Sequence, residues 1–219
     1  MDFKFIVDSL PLYIEAMKVT LVLALLGTVL SLAIGLICSL IRYYKVKGLS
    51  FVVGVYIEIS RNTPLLIQLF FLYYGLPKVG IKISAEACAI IGLAFLGGSY
   101  MAESFRGGLE AVSKTQIELG LSIGLNRKQL IRYVILPQAF SVAIPSLGAN
   151  GIFLLKETSI IGAIAVADLM FVAKDLIGMY YATFEALSML VIAYLIILLP
   201  LSLLLTKLER RLRYGEFGN

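Results

Sequence analysis

Residues 19–41 read VTLVLALLGTVLSLAIGLICSLI, 23 residues without a single charge. At 1.5 Å of rise per helical residue, such a run crosses a hydrocarbon core about 30 Å thick with some tilt. The rest of the chain has the same character. Its 219 residues are 60% hydrophobic and 15% charged, with a mean hydropathy of +0.94, far more apolar than a soluble domain. The expected fold class is therefore an all-α integral membrane protein, a single transmembrane domain over residues 1–219.

Composition also excludes chemistry. Histidine is absent, and the two cysteines, Cys38 and Cys88, each sit in an apolar run rather than in a metal-spaced cluster. That removes His-based catalysis, most zinc chemistry and a disulfide scaffold. No catalytic and no metal-ligating set is expected. The first residues, MDFKFIVDSLPLYIEAMK, mix acids and bases ahead of an apolar run too long for a signal-peptide core, and read as uncleaved.

Five spans of about 20 residues use up most of the length. They are placed at about 19–41, 51–77, 84–106, 133–155 and 186–206. In the first, Gly27, Ser31, Gly35 and Ser39 recur every fourth residue, a strip that lets another helix backbone approach closely. The second holds Glu58, Arg61, Asn62, Thr63 and Pro64. Pro64 lacks the N–H that a helix needs there, so this span must kink or open. The third carries Gly97-Gly98-Ser99 and Glu103; the fourth Pro145, Gly148, Asn150 and Gly151.

Three basic clusters, at 42–47, 106–132 and 207–213, hold 12 of the 19 Lys and Arg residues. Positive loops stay cytoplasmic. Five spans with the N-terminus outside and the C-terminus inside place all three clusters in the cytoplasm. The apolar run 160–172, broken only by Asp168, is too short to be a sixth span. It is expected as a short outer-side helix between spans four and five.

The stretch 116–138, QIELGLSIGLNRKQLIRYVILPQ, then lies on the cytoplasmic side between spans three and four. Its alternating Ile117, Leu119, Leu121, Ile123 and Leu125 have the period of a strand, but no sheet is available to it. Wound as a helix over about 116–126, it sets Glu118 and Ser122 on a narrow polar stripe amid apolar residues, Gly120 and Gly124. Two readings fit this: a helix lying on headgroups, or one seated in a groove of a cytoplasmic partner.

Glu118, Gly124 six positions on, and Ile135-Leu136-Pro137 resemble the EAA loop of ABC importer membrane subunits, with Leu119 and Gly120 where two alanines are usual. Arg61-Asn62-Thr63-Pro64-Leu65-Leu66, Gly75-Leu76-Pro77, Leu136-Pro137-Gln138-Ala139 and Lys156-Glu157-Thr158-Ser159 with Asp168-Leu169 are similar to the polar amino acid permeases of that class, the histidine, glutamine and arginine uptake systems. The resemblance covers about residues 10–210. It implies a bacterial inner-membrane, multi-pass permease that pairs with a second copy or a homologous permease. It also implies two cytoplasmic ABC ATPases, which bind ATP and Mg, and an extracytoplasmic amino-acid-binding protein. The chain contains no G-x-x-x-x-G-K-[ST] loop of its own, so no cofactor is expected in it. By the same resemblance Glu118, Gly120, Gly124, Leu136 and Pro137 couple to the ATPase, and transport proceeds by alternating access.

A charge in the membrane is costly and is normally paired or faces a cavity. The candidates for the substrate pathway are Glu58, Arg61, Thr63, Glu103, Asn150, Glu157 and Thr158. Glu58 and Arg61, three residues apart, can instead neutralise each other; Asn150 can bond a neighbouring helix; Glu103 can be an interfacial carboxylate. If Glu103 or Glu157 faces the pathway, it suits a basic amino acid such as arginine, lysine or histidine. The rival classes are a secondary transporter or channel for small polar solutes, a membrane-embedded enzyme, and a purely structural subunit.

Overall fold

The computed structural model describes the backbone of residues 2–217 and the side chains of residues 2–211; the side chain of Arg213, in the third basic cluster, lies outside them. All regular structure among the described residues is helical: α1 (Phe3–Tyr43), α2 (Leu49–Arg61), α3 (Leu65–Phe70), α4 (Ala85–Glu110), α5 (Lys114–Ser122), α6 (Arg127–Leu130), α7 (Leu136–Glu157), α8 (Leu169–Tyr180) and α9 (Thr183–Phe217). Among them, four stretches are long and apolar enough to cross a membrane: Phe3–Tyr43, Ala85–Glu110, Arg127–Ile164 and Thr183–Arg211.

The first helix starts well before Val19. Asp2 caps it, accepting from the Lys4 and Phe5 N–H groups at 3.0 and 3.2 Å. At 41 residues it is about 60 Å long, twice the hydrocarbon thickness. Its N-terminal part packs on α8 and α9, where the Tyr13 hydroxyl donates to the Ala186 carbonyl at 2.6 Å.

α4 is the central element, lined by α1 on one side and by α2, α3 and α7 on others. The small-residue strip on α1 is its seat. Gly27, Ser31, Gly35 and Ser39 are all buried. A methyl group on Gly27 would lie 2.8 Å from Leu93 Cβ, and one on Gly35 would lie 2.5 Å from Met101 Cβ and 2.8 Å from the Ala102 nitrogen. Ser31 Oγ donates to Gly27 O at 2.7 Å and Leu93 O at 3.2 Å. This is backbone against backbone, the packing that small residues allow.

The contacts also fix direction. Positions 27 and 35 of α1 meet 93 and 101 of α4, so these two helices run parallel. Tyr56 and Ser60 of α2 reach Phe95 and Ser99, while Leu65 and Leu69 of α3 lie against Gly92, so α2–α3 runs the other way. α7 is likewise antiparallel to α4, with Ala139 at Gly108, Ser146 at Ser104 and Leu154 at Gly97. The amide of Asp2 donates to Glu185 Oε1 at 3.0 Å, which sets the starts of α1 and α9 at the same end.

The stretch expected as the second span opens at Pro64, where the sequence has no N–H to offer. α2 ends at Arg61 and α3 begins at Leu65, with Pro64 extended between them (φ −61°, ψ 140°). Two other prolines are handled differently. Residues 71–75 and 131–135 wind as wide π turns, each just ahead of a proline, Pro77 and Pro137. A proline leaves the carbonyl four residues back without its partner, and a wider turn absorbs the mismatch.

Candidate functional site

The break in α2–α3 is built from side chains that replace missing backbone partners. The carbonyl of Ser60 would normally accept from residue 64, and proline has no N–H to give. Gln68 takes that place: its Nε2 donates to Ser60 O (3.1 Å), Thr63 O (3.1 Å) and Thr63 Oγ1 (2.9 Å). Thr63 Oγ1 in turn donates to Ile59 O at 2.8 Å, and Asn62 Nδ2 to Glu58 O at 2.8 Å. The unwound residues are thus tied to Gln68, whose own amide oxygen is buried without a partner among the described residues.

Glu58 and Arg61 do not neutralise each other. Glu58 Oε2 accepts from Asn62 at 3.2 Å, whereas the Arg61 guanidinium lies over the Tyr100 ring, 5.2 Å from its centroid. Tyr100 meets Phe153 at a centroid distance of 5.2 Å. α2, α4 and α7 therefore contribute one continuous surface running from a cation through two aromatic rings.

Asn150 faces α4. Its Nδ2 donates to Ser104 Oγ at 2.9 Å and Tyr100 O at 3.4 Å, and Ser104 is within 2.7 Å of Ser146 Oγ. The helix-bonding role weighed from sequence is the one this polar seam displays. Glu103 is engaged as well. It accepts from Arg42 at 2.8 Å and from Arg106, which also reaches Glu110 at 2.7 Å, and the field of Arg61 reaches it. With both oxygens held by guanidinium groups, Glu103 does not offer the free carboxylate that a cationic substrate would need. Thr158 is fully buried and donates to Leu155 O at 2.7 Å, so it is turned away from any open pathway. Glu157 is half-buried without an ion pair among the described residues, and Lys156 is exposed.

Asp168 is fully buried at the start of α8, accepting from the Phe171 N–H at 2.8 Å. Its other oxygen has no partner among the described residues, and burial pushes its pKa up to about 6.

A second zone lies beyond the end of α4 that carries Glu103. Ser113 caps α5, accepting from Gln116 N, and the helix stops at Ser122 rather than near residue 126. Gly124 ends it, with φ +86° and open space around its α-carbon. The Gly124 N–H bonds Leu121 O at 3.0 Å and the Leu125 N–H bonds Gly120 O at 3.1 Å, the paired bonds of a Schellman stop. Asn126 and Gln129 then form a capping box for α6.

Gly120 turns inward: it is buried, and a methyl there would lie 2.5 Å from Leu130 Cδ1. Its small size serves packing against Leu130 within this chain. Glu118 is exposed, as are Leu119 at 60%, Leu121 at 48% and Ile123 at 79%. Leu136 and Pro137 are exposed at the start of α7.

A helical membrane bundle with an arginine lacking an acidic partner among the described residues at a broken helix, plus a peripheral helix with exposed Leu119 and Ile123, suits a membrane transport subunit. The chain belongs to the family of binding-protein-dependent transport system inner membrane components, which matches residues 27–214. It is 36% identical over 214 residues to the glutamine transport system permease protein GlnP of Escherichia coli (strain K12), covering 97% of this chain and 98% of that one. It is 35% identical to the probable amino-acid permease protein YxeN of Bacillus subtilis (strain 168), covering 95% of each. Its fold matches a crystal structure of an amino acid ABC transporter with histidines at a TM-score of 0.90 and 36% identity, covering 96% of this chain and 99% of that chain.

Three contributors escaped the sequence reading. Gln68 stands four residues after a proline, where an amide in an apolar run is the available signal. Tyr100 and Ser104 looked like ordinary members of α4, and only the crossing of α2 and α7 gives them partners.

Proposed function

We propose that this chain is the membrane-spanning permease subunit of an ATP-driven amino acid importer of a bacterial inner membrane. It forms the translocation pathway as a dimer, with itself or with a homologous permease, and works by alternating access. Two cytoplasmic ATPases bind ATP and Mg and do the hydrolysis, and an extracytoplasmic binding protein delivers the amino acid. In this reading the polypeptide crosses five times, α2–α3 being the broken second crossing, with the N-terminus outside. Supporting it, α1, α4 and α9 run one way and α2–α3 and α7 the other, so that the basic clusters fall at one end, which positive-inside loops make cytoplasmic.

The observation that carries the proposal is the exposed apolar surface of α5. Leu119 and Ile123, one turn apart and flanked by Glu118, and Leu121 on the other side of the buried Gly120 are exposed at the basic end, with no described residue covering them, which fits a coupling helix seated in an ATPase groove. Gly124 contributes through its left-handed backbone rather than through contact. In proteoliposomes with the ATPase and the binding protein, ATP-dependent uptake is expected. Ile123→Asp should release the ATPase on size-exclusion chromatography while membrane insertion stays normal; retained ATPase and coupled uptake would overturn the assignment.

Arg61, Thr63, Glu58 and Glu157 remain the pathway candidates. Specificity for a basic amino acid now rests on Glu157, because Glu103 is held by Arg42 and Arg106. That pairing, with a relative named for glutamine transport, favours a second reading, a neutral polar amino acid such as glutamine. Competition of labelled arginine, histidine and glutamine uptake separates the two.

A further inference from the structure

We propose that Arg61 is the group in the pathway that receives the α-carboxylate of the passing amino acid. The inference rests on the importer reading above and adds to it the part of the substrate that the membrane subunit recognises. Arg61 is exposed within a membrane bundle, and a guanidinium facing hydrocarbon is strongly disfavoured, so it faces a cavity or a polar ligand. It has no carboxylate partner among the described residues. Glu58, one turn away, accepts from Asn62, and Glu103 is bonded to Arg42 and Arg106.

The guanidinium is also held in place. Its central carbon lies over the Tyr100 ring, 5.2 Å from the centroid, and Tyr100 in turn meets Phe153. The backbone beneath it is clamped by the Gln68 amide through Ser60 and Thr63. No hydrogen bond or ion pair to the described residues occupies its N–H groups, and a guanidinium fork matches a carboxylate with two parallel hydrogen bonds. The α-carboxylate is the one anionic group that a basic and a neutral amino acid share. Recognition at Arg61 therefore needs no match to the side chain and leaves selectivity among amino acids to other residues or to the binding protein.

The test uses the purified complex of permease and ATPase without the binding protein. Tritiated arginine, histidine and glutamine are bound, then competed with the same acids and with their α-carboxamides. In the unmodified complex the acid should outcompete its carboxamide by at least tenfold. With Arg61→Gln the affinity for the acid should fall tenfold or more and meet that of the carboxamide; Arg61→Lys, which keeps the charge but loses the fork, should retain part of the preference. Equal binding of acid and carboxamide by the unmodified complex overturns the proposal without reference to any variant, and is the result expected if a lipid phosphate occupies Arg61. An undiminished preference in Arg61→Gln overturns it too. If the unmodified transporter with its binding protein takes up none of the three amino acids, the importer reading falls and this inference with it; uptake without the predicted discrimination removes Arg61 alone.

Discussion

α4 meets its neighbours in two different ways. Against α1 the contact is made mostly by missing side chains: Gly27 and Gly35 bring the helices together and Ser31 packs on Gly97, with the Arg42–Glu103 pair at one end. Against α2–α3 and α7, beside close contacts at Gly92 and Gly108, polar side chains join in, namely Tyr56 and Ser60 on Phe95, Ser60 on Ser99, Arg61 on Tyr100, and Asn150 on Ser104. A glycine contact has little freedom, since its glycines have no side chain to change rotamer. A seam of hydroxyls and amides can exchange partners at a cost of about 1 kcal/mol per bond. The α1–α4 pair is thus the more rigid half, and in the alternating-access reading proposed above the α2–α3 and α7 side is the half that would rearrange.

The largest effect should come from forcing the rigid seam open. Gly35→Leu sets a branched side chain where even a methyl would lie 2.5 Å from Met101 Cβ and 2.8 Å from backbone. Overpacking costs about 1–3 kcal/mol or more, and here the obstacle is main chain. Loss of folded protein in detergent is expected. A normally folded, active Gly35→Leu would show that this seam yields, and would end the contrast.

The rigid seam was legible in the sequence because glycine and serine at every fourth position speak for themselves. So was the break at Pro64, which follows from a missing N–H. The exchangeable half was not. Asn150 carries the same chemistry whether it faces a pathway or a neighbouring helix, and only the position of Ser104, 46 residues away, gives it a helix partner. Gly120 and Gly124 read alike as small residues of one amphipathic stretch. One is buried against Leu130 and the other turns the backbone to φ +86°, a difference set by the fold of α5 onto α6.

Two carboxylates sharpen the contrast by pH. Glu103 has guanidinium partners for both oxygens, whereas Asp168, buried on the α1 side near Thr20, has one oxygen unpartnered. Burial raises Asp168 from its ordinary 3.8 to about 6. Between those values the folded state binds more protons than the unfolded state, so stability falls as pH rises from about 4 to about 6 and is level above that. The gap of about two pH units, at about 1.4 kcal/mol each, puts the fall near 3 kcal/mol. Asp168→Asn can still accept from Phe171 N and should remove this component from unfolding midpoints measured across that range; an unchanged profile would mean that Asp168 does not titrate there.

The smallest effect on stability should come from Gln68→Leu, and it is the most telling for function. Leucine fills a similar volume but leaves the Ser60 and Thr63 carbonyls without the amide that replaces the N–H missing at Pro64. Leaving a buried acceptor unmet costs about 1–3 kcal/mol, and water reaching the unwound turn holds the cost to the lower end. If the break merely bends the polypeptide, as the π turns ahead of Pro77 and Pro137 do, uptake per ATP hydrolysed should follow stability and hardly change. If the clamp sets the position of Arg61 on Tyr100, the apparent KM for the amino acid should rise several-fold while basal ATP hydrolysis holds. A raised KM at near-normal stability places Gln68 with the exchangeable half of the molecule; an unchanged KM assigns it to scaffolding alone.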